Sequence, residues 1–269
     1  MKQYKRVLAI AGSDSGGGAG IQADIKAISA CGCFATTAIT AITSQNTLGV
    51  TDIHPIPIAS LKSQITAVLS DIGSDSVKIG MLHNAEAIVA VEEVLSKFKM
   101  KNIILDPVMV ATAGNTLLEK EAIDTLKKVL IPKARVITPN IPEAEILLGE
   151  KIKGQEDLPR KAKKLAELFQ VSVLLKAGHL KEDDLIDVLY NAETDEIKEF
   201  KSKRIYSKNT HGTGCTLSSA LAAFVAKGFN LNSAVKHAKE YINEAIIAGV
   251  DYTIGEGHGP VHHFYNFWK

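Results

Sequence analysis

A glycine-rich segment that runs into a helical pattern lies near the end of this 269-residue sequence. It reads "NTHGTGCTLSSALAAFVAKG" (209–228), with Gly212, Thr213 and Gly214 directly before Cys215. Glycines let successive N–H groups turn inward, and a helix N-terminus adds its positive dipole end, so the segment predicts a cradle for a phosphoryl group in transit. Because a helix N-terminus also lowers the pKa of a thiol, we expect Cys215 to be partly thiolate and to activate or hold an attacking hydroxyl. A cysteine that only packs is the alternative.

Phosphoryl transfer also needs charge compensation, and suitable side chains follow several strand patterns. Asp106 in "LDPV", together with Asn140 and Glu143 in "TPNIPEAE", supplies oxygen ligands suited to Mg²⁺, held through water. Asn140 and Glu143 are three residues apart, which is equally the spacing of a helix capping box. Lys176 stands near a strand end, where it would pair with nucleotide phosphates or, alternatively, extend to solvent from the edge of the sheet.

A second glycine-rich segment, "AGSDSGGGAGIQAD" (11–24), lies between a strand pattern and a helix pattern. It has neither the G-x-G-x-x-G spacing of dinucleotide-binding loops nor the spacing of a P-loop. Its bare backbone would let a flat substrate approach closely, and we expect Asp24, in the first helical turn, to accept hydrogen bonds from that substrate. A plain strand-to-helix turn is the alternative.

The adjacent His262 and His263 point in opposite directions on an extended chain, so they do not predict a shared metal.

Buried-strand patterns alternate with longer helical patterns along the chain. Strand patterns cover 6–12, 36–43, 76–81, 102–108, 135–140 and 171–178, helical patterns cover 20–32, 84–99, 119–129 and 156–169, and a surface hairpin is predicted over 190–209. This alternation predicts an α/β fold, a central and mainly parallel sheet with helices on both faces, in one domain over 1–269. In such sheets ligands bind outside the carboxyl ends of the strands, so Asp106, Asn140 and Lys176 are expected to meet at one rim.

The composition limits the kinds of partner. A net charge of +1 creates no long-range field for nucleic acid or an anionic membrane, and no basic stripe with interleaved aromatic residues is present. The cysteines Cys31, Cys33 and Cys215 are odd in number, so we expect a reduced, cytoplasmic setting. The apolar run near the first residue is too short for a signal peptide, and no stretch approaches the roughly 20 apolar residues of a membrane helix.

The chain resembles the hydroxymethylpyrimidine/phosphomethylpyrimidine kinases of thiamine biosynthesis, in the ribokinase-like superfamily, from about residue 5 to 267. The segments that carry the resemblance are "AGSDSGGGAGIQADIKA", "SQNTLGV", "KIGML", "LDPVM", "ITPNIPEAE", "NTHGTGCTLSSALAA" and "GHGPVHHF". The resemblance implies a ribokinase-like fold with a small flap over the substrate, and a homodimer. It also implies that ATP and Mg²⁺ are used to phosphorylate 4-amino-5-hydroxymethyl-2-methylpyrimidine, first to its monophosphate and then to its diphosphate.

The same resemblance implies a role for each matching residue. The residues that would hydrogen-bond the aminopyrimidine are Asp24 and Gln45, and those that would wall its flat ring are Gly12, Met81 and Val108. The anion hole would consist of Gly212, Thr213 and Gly214, with Cys215 standing where sugar-kinase relatives have an aspartate base. The residues that would serve the magnesium–nucleotide complex are Asn140, Glu143 and Lys176, with Thr210 also near the phosphates, and Asp106 joins them from its place at the strand end.

A pyridoxal kinase of the same fold is the alternative function, because pyridoxal is also a flat heteroaromatic ring with a hydroxymethyl group. One branch of relatives that uses pyridoxal has a second cysteine in the flap after the "DPVM" strand. The flap here, "VMVATAGNTLL" (108–118), contains none, which favours the pyrimidine. A catalytically silent sensor is disfavoured, because it should have lost at least one of Asp106, Asn140, Lys176 and Cys215.

Overall fold

The computed structural model describes residues 2–109, 120–180 and 182–268. The strands in these ranges are β1 (Arg6–Asp14), β2 (Phe34–Asn46), β3 (Gly49–Pro55), β4 (Ser76–Ile79), β5 (Ile103–Leu105), β6 (Val136–Ile137), β7 (Ser172–Leu175), β8 (Asp184–Asn191) and β9 (Glu196–Lys203). They form one sheet in the order β3-β2-β1-β4-β5-β6-β7-β8-β9. Neighbouring strands from β2 to β7 pair in parallel, whereas β3 and the β8–β9 hairpin pair antiparallel at the two edges. The predicted mainly parallel sheet is confirmed.

Helices cover both faces of this sheet. Those in the described ranges are α1 (Gly20–Ala30), α2 (Ile58–Ala67), α3 (Ala85–Lys97), α4 (Lys120–Thr125), α5 (Ile141–Leu148), α6 (Leu158–Phe169), α7 (Thr213–Ala226) and α8 (Leu231–Gly249). Asparagine side chains at Asn84, Asn140 and Asn230 accept backbone N–H bonds at the starts of α3, α5 and α8, which fixes where these helices begin. None of the described helices has the length and apolar character needed to cross a bilayer.

The alternation of side chains along the strands creates two cores, one on each face of the sheet. In β1, Leu8 and Ile10 enter the core formed with α2, α3 and α6, whereas Val7 and Ala9 enter the core formed with α1, α7 and α8. Both sets of side chains are fully buried, as expected for a parallel sheet covered on both faces. The sheet therefore holds its carboxyl rim in a fixed geometry, and loops at that rim carry the site.

The predicted elements differ from the observed ones mainly at their ends. The strands β4 to β7 are shorter than the strand patterns, because the residues after them leave the sheet and enter the rim loops. The edge strand β3 and helix α2 were not predicted, since β3 is mostly exposed and α2 mixes polar and apolar residues. The hairpin begins at Asp184 rather than 190, because the buried run at the end of "DLIDVLYN" belongs to its first strand. The predicted flap (108–118) lies outside the described residues beyond Met109.

Candidate active site

The glycine-rich loop and the start of α7 form an uncapped helix N-terminus that faces a cavity. Gly212 has a left-handed backbone (φ 76°) and precedes the first residue of the helix, and no side-chain cap is found there in the described part of the chain. The N–H groups of the first helical turn, including those of Gly214 and Cys215, have no acceptor inside the helix. Both residues line the cavity. The predicted anion-binding loop therefore has the geometry that binding a phosphoryl group requires.

The protonation state expected for Cys215 is corrected by the structure. Cys215 is partly buried between α7 and the sheet, and this burial raises the pKa of its thiol to about 11. The helix N-terminus was expected to lower that pKa, but removal of the thiolate from water is the larger effect here. Lys78 lowers the pKa of Cys215, while the negative charges of Asp24 and Asp106 raise it. The resting side chain is consequently a thiol at neutral pH.

Asp14, which was not predicted to take part in the site, organises the first glycine-rich loop. Its carboxylate accepts hydrogen bonds from the backbone N–H groups of Gly16 (2.7 Å), Gly18 (3.1 Å) and Ala19 (2.8 Å). It also lies 2.8 Å from Nε2 of His211, in the second glycine-rich loop. Burial alone would raise the pKa of Asp14, but the bonds from His211 and the backbone outweigh it, so the pKa is lowered and the carboxylate stays ionised.

Gln45 is held between the two glycine-rich loops, as a substrate-binding amide would need to be. Its Nε2 lies 3.2 Å from His211 Nε2, and its Oε1 accepts a hydrogen bond from Thr43 Oγ1 (3.1 Å). Its backbone N–H donates to Ser15 Oγ (2.8 Å). The ring slot beside it is walled by Gly12, whose absent side chain leaves room for the Met81 thioether, and by Val108.

Asp106 and Lys176 form an ion pair on the other side of the anion-binding loop. Lys176 Nζ donates to Asp106 Oδ1 (2.9 Å), which also accepts from Thr138 Oγ1 (2.9 Å). Burial alone would lower the pKa of Lys176, but the charge of Asp106 outweighs it and the pKa is raised. A side chain on Gly214 would lie 3.3 Å from Lys176 Nζ. The same position lies 3.5 Å from Asp106 Oδ2, so the ion pair as a whole lies directly against the anion-binding loop.

Asn140 and Glu143 form the capping box that the spacing allowed. Glu143 N–H donates to Asn140 Oδ1 (3.0 Å), and Asn140 N–H donates to Glu143 Oε2 (2.9 Å). Both residues also line the cavity. Burial raises the pKa of Glu143 to about 7, although Lys176 works in the opposite direction.

Asp24 does not reach the cavity, which corrects the prediction that it contacts the substrate. Its side chain is fully buried, and its carboxylate accepts two hydrogen bonds from Lys78 Nζ (2.8 and 2.9 Å) and one from Ser219 Oγ (2.7 Å). The first turn of α1 turns this side chain inward, toward β4 and α7, rather than toward the rim. Asp14, in the same segment, occupies the substrate side of the loop instead.

The two glycine-rich loops, the Asp106–Lys176 pair and the capping box surround one cavity of about 650 Å³. The predicted site residues that line it are Gly12, Gln45, Met81, Asp106, Val108, Asn140, Glu143, Lys176, Thr210, Gly212, Thr213, Gly214 and Cys215. Beyond Lys176 the cavity continues between β8–β9 and α8, where its lining includes Leu185, Ile205, Ile242, Asn243 and Ile246. Sequence reasoning missed this apolar end, because ordinary aliphatic residues on a helix carry no signal that distinguishes a ligand slot from a core. A cavity of this volume suits ligands of substrate or nucleotide size.

Comparison with known protein sequences agrees with this geometry. A family model described as "Phosphomethylpyrimidine kinase" matches residues 14–262. The hydroxymethylpyrimidine/phosphomethylpyrimidine kinase of Rhizobium meliloti is 46% identical over 263 residues, which cover 97% of this chain and 98% of that protein. The thiamine biosynthesis bifunctional protein ThiED of Geobacter sulfurreducens is 47% identical over 257 residues. The match to it covers 96% of this chain and 52% of that protein, so the chain spans about half of the bifunctional relative.

Solved structures share the fold as well. The phosphomethylpyrimidine kinase from Clostridium difficile 630 superposes with a TM-score of 0.80 at 42% identity, covering 90% of this chain and 99% of that one. The pyridoxal kinase from Staphylococcus aureus, in complex with AMP-PCP and pyridoxal, superposes with a TM-score of 0.89 at 32% identity. That superposition covers 99% of this chain and 96% of the other. The sequence is thus more similar to the first structure, and the backbone geometry is shared with both.

Proposed function

Because the chain belongs to the phosphomethylpyrimidine kinase family, we propose that it phosphorylates 4-amino-5-hydroxymethyl-2-methylpyrimidine with ATP, and then phosphorylates the monophosphate to the diphosphate. The observation that carries the proposal is the order of features along one cavity. A flat slot beside Gln45 comes first, the anion-binding loop at Gly212 to Cys215 lies in the middle, and the Lys176–Asp106 pair with the apolar slot follows. This order matches an acceptor ring, a phosphoryl group in transit and a nucleotide.

The slot fits an aminopyrimidine because it has closely spaced walls for a planar ring and one amide side chain, Gln45, held in place beside them. The glycine backbone at residue 12 and the Met81 side chain leave a narrow space for a planar ring, and Val108 closes it. The Gln45 amide offers both a donor and an acceptor, which are the groups that an aminopyrimidine edge can pair with. Its bonds to Thr43 and His211 limit its rotation, so little entropy is lost when the ring binds.

The chemical step needs alignment more than a strong base. The substrate hydroxyl oxygen attacks the γ-phosphorus, the bond from that phosphorus to the bridging oxygen of ADP breaks, and the hydroxyl proton passes to water or to an oxygen of the transferred phosphoryl group. In the loose transition state of phosphoryl transfer little nucleophile activation is required, and negative charge spreads over the equatorial oxygens. The N–H groups at the start of α7 and the Lys176 ammonium stabilise that charge. A Cys215 thiol is compatible with this step, and the second phosphorylation begins from an ionised phosphate that needs no proton acceptor.

The residues at the nucleotide side fit a magnesium ion. Oxygen donors from Asp106, Asn140 and Glu143 line the cavity next to the anion-binding loop, and hard oxygen ligands suit Mg²⁺. In the described residues no group of three or more acidic, histidine or cysteine side chains is arranged to hold a metal alone. Phosphate oxygens and water would therefore complete the coordination, as is usual for this ion. The ion would neutralise part of the negative charge on the β- and γ-phosphates.

The direct test is incubation of the purified chain with ATP, Mg²⁺ and the hydroxymethylpyrimidine, followed by mass detection of the mono- and diphosphates. We expect both products, and we expect kcat/KM for the pyrimidine to exceed that for pyridoxal. The pyridoxal comparison is needed because the superposed pyridoxal kinases share this backbone. A higher kcat/KM for pyridoxal would overturn the assignment of the substrate.

Cys215→Ala separates the two phosphorylations. If the minor thiolate form of Cys215 accepts the hydroxyl proton, the variant should slow the first phosphorylation by roughly 100-fold while slowing the second far less. The small substitution at a helix terminus should leave the fold intact, which a thermal melt checks. Equal losses in both steps would assign Cys215 to the anion-binding loop alone.

A further inference from the structure

Helices α1 and α7 pack against each other beneath the site. Gly20 and Asp24 are four residues apart on α1, and Cys215 and Ser219 are four residues apart on α7, so each pair lies on one helix face. Ser219 Oγ, one turn after Cys215 on α7, donates to Asp24 Oδ1 (2.7 Å), and the backbone N–H of Gly20 faces the Cys215 thiol. Cys215 and Asp24 are thereby fixed on adjacent turns of the same helix–helix contact.

Lys78 places a buried ammonium next to this contact. Its side chain is fully buried on β4, and Nζ lies 2.8 and 2.9 Å from the two oxygens of Asp24. A Cβ on Gly80 would stand 2.8 Å from Nζ, which shows that the side chain runs along β4 toward its carboxyl end. That end is the rim where Met81 and Cys215 line the cavity. The ammonium therefore lies between Asp24 and the floor of the site.

A stabilising role alone does not account for this buried pair. The cost of removing two charges from water offsets most of their attraction, and apolar residues of the same volume often stabilise a core as well or better. The place of the pair points instead toward Cys215, because Asp24 is hydrogen-bonded to Ser219, one turn of α7 from the thiol. Lys78 lowers the pKa of the thiol, and Cys215 in turn raises the pKa of Lys78.

Two other charged side chains, Asp106 and Lys176, also act on Cys215. Asp106, from the end of β5, acts on the thiol in the same direction as Asp24, and Lys176, from the end of β7, also interacts with it. Asp106 and Lys176 are paired with each other at 2.9 Å. Both line the cavity, where a bound nucleotide and its metal would change the electrostatic effect of this pair on Cys215. The Lys78–Asp24 pair is sealed from the cavity and provides the fixed part of the electrostatic environment.

We propose that Lys78 and Asp24 are positioning residues that set the charge state of Cys215, the ammonium favouring the thiolate and the carboxylate limiting that effect. Asp24 does so in two ways, by neutralising Lys78 and by its own negative charge. The inference rests on the proposed function, since it assigns the pair to the proton of the acceptor hydroxyl. It explains why an acidic residue that cannot touch the substrate stands beneath the reacting group.

The test measures how fast iodoacetamide alkylates Cys215, because only the thiolate reacts. Mass spectrometry of the peptide that contains Cys215 separates it from the buried Cys31 and Cys33. In D24N the ammonium loses its counter-charge, so at about pH 8 we expect alkylation about tenfold faster than in the wild type. In D24N/K78M both charges are gone, and alkylation should be about tenfold slower than in D24N. The amide introduced by D24N still offers Ser219 an acceptor, so this variant tests the proposal even if the double variant fails to fold.

Asp75→Asn is the matched control, since it removes an ion-paired carboxylate at the opposite end of β4 (Arg6–Asp75, 3.1 Å) and should leave alkylation of Cys215 unchanged. The assay requires no turnover, so its result is independent of whether the pyrimidine is the substrate. With a folded double variant, equal alkylation rates in D24N and D24N/K78M overturn the proposal. A D24N rate equal to the wild-type rate overturns it as well. The expected order is D24N fastest, with the double variant at least several-fold slower.

Discussion

Gly212 gives the sharpest test of how the two glycine-rich loops fit together. Its backbone is left-handed (φ 76°), and a Cβ there would lie 2.8 Å from the carbonyl carbon of Gly18 and closer still to its oxygen. It would also lie 3.2 Å from Ala19 Cα. All three obstacles are backbone atoms, so no side chain can rotate away. Gly212→Ala must therefore move the anion-binding loop away from the loop that Asp14 organises.

The size of the effect follows from the displacement. Ordinary van der Waals contact begins at 3.4 Å, so the two loops would have to separate by more than about 1 Å to admit the methyl group. A misplacement of about that size at a reacting centre costs roughly 100-fold in rate, which corresponds to about 2.7 kcal/mol of transition-state stabilisation. An alanine forced into the left-handed region adds about 1 kcal/mol of destabilisation to the folded chain.

Gly228→Ala is the matched control for this variant. Gly228 is also left-handed (φ 90°), follows the end of α7, and has nothing within 4 Å of the position of a Cβ. It should lose about the same stability as Gly212→Ala through backbone strain, while its kcat/KM stays at the wild-type value. Steady-state kinetics with the hydroxymethylpyrimidine and thermal melts of both variants provide the measurement. If Gly212→Ala kept kcat/KM within about threefold of Gly228→Ala, the loops would not need their observed contact.

Three further predictions follow from the same structure. Gly257→Ala should raise KM for the pyrimidine, because its Cβ would stand 2.5 Å from the Thr47 carbonyl carbon next to Gln45, and steady-state kinetics would show it. Lys176→Ala should raise KM for ATP or lower kcat by about tenfold or more, since it removes a charged phosphate partner and leaves Asp106 unpaired; unchanged values of both would contradict this role. Glu143 has a folded-state pKa of about 7, above its unfolded value of 4.5, so its contribution to the free energy of unfolding falls as pH rises through this interval. Glu143→Gln should remove that fall, and urea titrations at about pH 5 and about pH 8 would reveal whether it does.

Much of the site could be predicted from sequence because its chemistry lies at strand ends. Asp106 and Lys176 follow β5 and β7, and parallel strands bring their carboxyl ends to one rim whatever the distance along the chain. The 2.9 Å contact between these two residues, 70 positions apart, is the direct result. The start of α7 was visible because an apolar helical pattern follows directly after glycines, which permit the left-handed turn seen at Gly212.

The two acidic residues of the first glycine-rich segment show where such reasoning stops. Asp14 and Asp24 are equally polar and stand in the same loop–helix unit, and the sequence offered no means to decide which faces the cavity. The decision depends on the orientation of α1 against α7, which follows from how Ala27 and Ile28 pack in the core below. The charge state of Cys215 could not be predicted for the same reason. Burial raises the pKa of its thiol by more than the helix N-terminus and the buried Lys78 lower it.

The C-terminal segment "GHGPVHHF" contributes to the site through backbone hydrogen bonds that connect two of its loops. His211 N–H donates to the Gly259 carbonyl (3.0 Å), and His258 N–H donates to the Thr47 carbonyl (2.9 Å). The segment thus ties the anion-binding loop to the loop of Gln45, which lies far earlier in the chain. Because Gly257 leaves room only for backbone at that junction, the distance between acceptor ring and phosphoryl group is fixed by packing. Catalysis beside a protonated thiol depends on such a site, where fixed alignment supplies what base strength does not.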